Sequence, residues 1–75
     1  MSDRLDETAR LYEEVAAELD RAAAHARTAA EHFRDENVPR GAAHAWSAYG
    51  HVREALERLH SQAREHARLS TTPEL

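Results

Sequence analysis

Asn37-Val38-Pro39 is the stretch that decides the fold. Before it, Asp3 to Glu36 contains neither Gly nor Pro and is dominated by Ala, Leu, Glu and Arg, all strong helix formers. After it the same composition resumes and carries to Ser70, ahead of Thr71-Thr72-Pro73. Asn tolerates the left-handed conformation that ends a helix. Pro39 suits the first turn of the next helix, where its missing N–H leaves no intrahelical bond unmade. A break this short turns the second helix antiparallel to the first. The reading is all-α: one domain over 1–75, an antiparallel two-helix hairpin. The first helix covers about 3–36, the turn about 37–39, the second helix about 39–69, and a short disordered tail 70–75. Ser2 is the expected N-cap, with Asp3, Asp6 and Glu7 at the positive end of the helix dipole.

Outward from the turn, two apolar stripes run along each helix. One repeats at steps of four and three: Leu5, Ala9, Tyr12, Ala16, Leu19, Ala23, Ala26, Ala30 and Phe33, then Ala42, Ala45, Tyr49, Val52, Leu56, Leu59, Ala63 and His66. This is a heptad seam, and it is expected to close the hairpin, with Ala9, Ala16, Ala23 and Ala30 letting the backbones approach. Gly50, costly inside a helix, suggests close approach by a neighbouring helix.

The second stripe is a flank of Leu11, Val15, Ala22 and Ala29 on the first helix and Ala48, Ala55 and Leu69 on the second. Flank positions of antiparallel helices face one side, so this surface is the expected interface of a dimeric four-helix bundle made from two hairpins. Its interface residues are Leu11, Val15, Ala22, Ala29, Ala48, Ala55 and Trp46. The opposite flank, with Arg10, Glu13, Asp20, Arg27, Glu57 and Arg64, is polar. Trp46, Tyr49 and Phe33 gather near the turn and read as a bulky plug of that end, with a partner-binding anchor as the other reading.

Composition narrows the function. Of the apolar residues 16 are Ala, leaving 15 larger apolar side chains, a thin core for a 75-residue monomer. The absence of cysteine excludes disulfides, thiolate metal sites and cysteine nucleophiles. The net charge of −4 argues against phosphate-driven nucleic-acid binding. No apolar run approaches a membrane span, and Met1-Ser2-Asp3-Arg4 lacks a signal-peptide pattern, so a cytoplasmic protein is expected. All ten basic residues are Arg, a bias that fits a GC-rich bacterial genome.

The histidines carry the remaining chemistry. Ala24-His25-Ala26 to His32-Phe33-Arg34 echoes Ala43-His44-Ala45 to His51-Val52-Arg53. Folding the chain at its turn sets His25 opposite His51 and His32 opposite His44. The bland reading is two amphipathic pairs at the edge of an association surface. The chemical reading is that His25, His32, His44 and His51 ligate a divalent transition metal or haem, since neutral imidazole is the commonest metal ligand. Glu57-Arg58-Leu59-His60 matches the Glu-x-x-His of di-iron bundles, but once and on the polar flank. No Ser, His and Asp stand together as a hydrolase would need.

The expectation is therefore a non-enzymatic protein–protein interaction or oligomerisation module without a cofactor, homodimeric or docked on another helical protein. A histidine-dependent metal- or haem-binding bundle is the alternative. Nucleic acid and membrane are not expected partners.

Overall fold

The computed structural model describes residues 3–69, and of Leu69 the backbone alone. Two α-helices, α1 (Asp3–Arg34) and α2 (Val38–Leu69), pack side by side as a hairpin, and no strand occurs among the described residues. Each has 32 residues and is about 48 Å long at 1.5 Å per residue. Ser2 as N-cap, the tail over 70–75 and the Leu69 side chain lie outside what is described.

The turn combines two caps. The Glu36 N–H donates to the Phe33 carbonyl at 3.0 Å and the Asn37 N–H to the His32 carbonyl at 2.8 Å. This crossed pair is a Schellman motif, which satisfies the last carbonyls of α1. The left-handed residue it needs is Glu36, with φ 61°, not the Asn37 expected from the sequence. Asn37 caps α2 instead: its side-chain oxygen accepts from the Arg40 N–H at 3.3 Å. Phe33 folds over the turn onto Gly41, with ring atoms 2.8 Å from the position a Cβ there would occupy. Gly41 is therefore the glycine that admits a close neighbour. Gly50, expected to do so, has nothing within 4 Å of such a Cβ.

The two apolar stripes exchange the roles expected of them. The residues buried between α1 and α2 are Val15, Ala22, Ala29 and Ala55, the last only 1% exposed, with Leu11 and Ala48 half-buried beside them. These were the expected dimer interface, and they are instead the hairpin's own core. The heptad seam expected to close the hairpin faces outward: Leu5, Tyr12, Leu19, Phe33, Tyr49, Val52 and Leu56 are all exposed, as are Ala9, Ala16 and Ala23. The physical reason is size. Small side chains let two helices approach closely, whereas Leu and Tyr would hold them apart and are better buried against a second layer.

Among the described residues there is no second layer. The molecule is a slab of 56 × 31 × 13 Å, one helix thick. Isolated helices draw most of their stability from tertiary packing of an apolar face, and here Tyr12, Leu19, Tyr49, Val52 and Leu56 of the larger apolar face stay exposed.

Candidate functional site

Two features stand out: a polar ladder between the helices and an apolar face on one side of the slab. The ladder follows from heptad spacing. Glu18, His25 and His32 recur every seven residues on α1, and His44, His51 and Arg58 every seven on α2. Each set therefore forms one row, and the rows meet beside the Ala22, Ala29, Ala48 and Ala55 contact.

The four histidines make one continuous stack. His25 and His51 lie parallel with centroids 5.4 Å apart, as do His32 and His44, so the two expected cross-helix pairs form. They also interlock: the His25 and His44 rings are 5.2 Å apart and their Nδ1 atoms are 3.0 Å apart, one donating and the other accepting. At the far end His51 Nδ1–H donates to Glu18 Oε1 at 2.7 Å.

Glu18, its side chain 13% exposed, also meets Arg21 at 3.4 Å and Arg58 at 3.5 Å. The hydrogen bond from His51, then the nearby Arg21 and Arg58 charges, hold its carboxyl below the usual carboxylate range. Arg58 bridges onward to Glu14 at 3.3 Å and Glu54 at 3.2 Å. Glu18, Glu31 and Glu36 are all near enough to the histidines in sequence to pair with them; the structure bonds Glu18 to His51, and its seven-residue spacing from His25 is the signal that singles it out.

The Nδ1 atoms of His25 and His44 are turned to each other and that of His51 to Glu18. Among the described residues no three His, Asp or Glu side chains are grouped to hold a metal ion. Glu57 and His60 are both exposed. A shallow cleft where the helix ends part is lined by Leu5, Thr8, Leu11, Gln62, Glu65 and His66.

The apolar face follows from geometry. The outward stripe lies about 100° around each helix from the core stripe. In antiparallel neighbours that rotation leads to the same side, so Leu5, Tyr12, Leu19 and Phe33 of α1 and Tyr49, Val52 and Leu56 of α2 share one broad surface. Trp46 stands at its edge, 71% exposed, edge-on to Tyr49 at 5.7 Å, with the Arg53 guanidinium 5.9 Å from the Tyr49 ring centre. Of the expected interface residues, Trp46 alone is well exposed. Trp46 and Tyr49 do not plug the end of a core.

No helix among the described residues is long and apolar enough to cross a membrane. No protein-family model, curated protein or solved structure matches the chain.

Proposed function

We propose that this chain is a non-enzymatic helical association module, whose apolar face pairs with a second copy to complete a four-helix bundle. The carrying observation is that nine large apolar side chains, from Leu5 to Leu56, are each 43% exposed or more. Contiguous apolar surface of this kind marks an interaction site. The whole chain exposes 5943 Å², where a compact monomer of 8.5 kDa would expose about 4,700 Å². Stacking two slabs face to face gives each helix a second neighbour and buries the stripe that one layer leaves open. Residues carrying charge are confined to the outer edges and the back, so nothing in the middle of the face opposes burial.

The test is the thermal midpoint as a function of protein concentration. A dimer that unfolds to separate chains is stabilised by mass action, so the midpoint rises by about 3–5 °C per tenfold increase in concentration. A midpoint independent of concentration would reject self-association.

A further inference from the structure

We infer that the second copy docks with its turn at the same end, laying α1 on the partner's α2, and that charges along the outer edges fix this choice. The inference rests on the self-association reading. Two slabs meeting face to face have two symmetric arrangements. With the two-fold axis along the helices, the turns lie together and α1 covers the partner's α2. With the axis across the helices, the turns lie at opposite ends and each helix covers its own copy. The apolar stripes fit either. In the first, Leu19 lies between the partner's Val52 and the partner's Leu56; in the second, it meets the partner's Leu19.

The edges do discriminate. The cross-helix contacts Glu14–Arg58, Glu18–His51 and His25–His51 set a common height scale, on which residues whose numbers add to about 73 stand level. Glu13, Asp20 and Arg27 recur at seven-residue spacing along the outer edge of α1, as do Trp46, Arg53 and His60 along that of α2, and all six are exposed. With the turns together, Asp20 faces the partner's Arg53, Glu13 faces the partner's His60, and Arg27 faces the indole of the partner's Trp46, a cation–π pairing. Every pairing is complementary, and each occurs twice. With the turns opposed about an axis level with Asp20, Asp20 stands against the partner's Asp20 and Arg53 against the partner's Arg53, while Glu13 stands against the partner's Arg27, so like charges and opposite charges are mixed along the edges.

A second observation agrees. Among the described residues Glu13, Asp20 and Arg27 make no ion pair within the chain, although seven such pairs form elsewhere. Arg53 has only a loose contact with Glu57 at 3.8 Å and a hydrogen bond to the Tyr49 hydroxyl at 3.4 Å. Complementary edge charges set register and orientation more than raw affinity.

The chain has no cysteine, so cross-linking reads the arrangement directly. Chains carrying D20C and chains carrying R53C are mixed, re-equilibrated and oxidised, beside each variant alone. These positions lie on opposite outer edges of one hairpin, so a disulfide between them joins two chains. The expected result is a mixed D20C–R53C disulfide as the main product, with little self-linking of either variant alone. Predominant self-linking of D20C, or no disulfide in a chain that light scattering finds dimeric, overturns the arrangement while leaving self-association intact. A monomeric molar mass overturns the self-association reading itself. Charge exchange supplies a second readout: D20R and R53D each raise the dissociation constant at least threefold, and the double variant recovers wild-type affinity. Failure of the double variant to recover overturns the proposed pairing.

Discussion

If the proposed self-association holds, replacing Leu19 and Leu56 together with aspartate leaves a monomer that remains helical. Both side chains stand at the middle of the apolar face, 45% and 44% exposed in the single chain, and neither belongs to the core between α1 and α2. The hairpin therefore tolerates the change, whereas the dimer loses four leucines. Each leucine is already more than half covered in the single chain, so association adds roughly 0.7–1.4 kcal/mol apiece, and losing four of them, before the added cost of desolvating carboxylates, raises the dissociation constant by at least about a hundredfold. Sedimentation velocity reads the change in mass, and far-ultraviolet circular dichroism reads the helices. The comparison variant Glu57→Lys, on the polar side, leaves the mass unchanged. A Leu19→Asp/Leu56→Asp chain that still sediments as a dimer would place the interface elsewhere. One that lost its helices altogether would return the two leucines to the hairpin's core.

Acid is expected to destabilise the hairpin through Glu18. The Nδ1 atoms of His25 and His44 share a hydrogen bond, and His25 stacks on His51 as His32 does on His44, at centroid spacings of 5.2–5.4 Å. Among the described residues the carboxylate bonded to this ladder is Glu18, which accepts from His51 and also meets Arg21 and Arg58.

The Glu18 carboxyl is held below the ordinary value of 4.5, so the folded state binds fewer protons there than the unfolded chain. That contribution is complete above 4.5 and is lost as pH falls through the lower, folded value; Glu18→Gln removes it. A wild-type midpoint that follows the same profile as Glu18→Gln below 4.5 would contradict this linkage.

The two helices and their turn were legible because each rests on local chemistry: an unbroken run of helix formers, then Asn and Pro at the break. The histidine pairs were legible because an antiparallel fold fixes which residues stand level. The assignment of the stripes was not. Hydrophobicity ranks Leu, Tyr and Phe ahead of Ala and so places the larger stripe inside, but a slab one helix thick has no inside. The gap between α1 and α2 goes to the row that lets them approach, and that row is Ala22, Ala29, Ala48 and Ala55. Glu18 is legible only as one of three carboxylates, with Glu31 and Glu36, near the histidines in sequence; its row with His25 and His32 is what marks it as a ladder member. The left-handed Glu36 carried no signal either, since any residue at that step of a Schellman turn must take the conformation, and Asn37 was needed one place later as the cap of α2.

If the exposed stripe is buried between two copies in solution, light scattering of the wild-type chain at neutral pH and tens of micromolar gives a molar mass twice the 8.5 kDa of one chain. A compact particle of 8.5 kDa would rule self-association out.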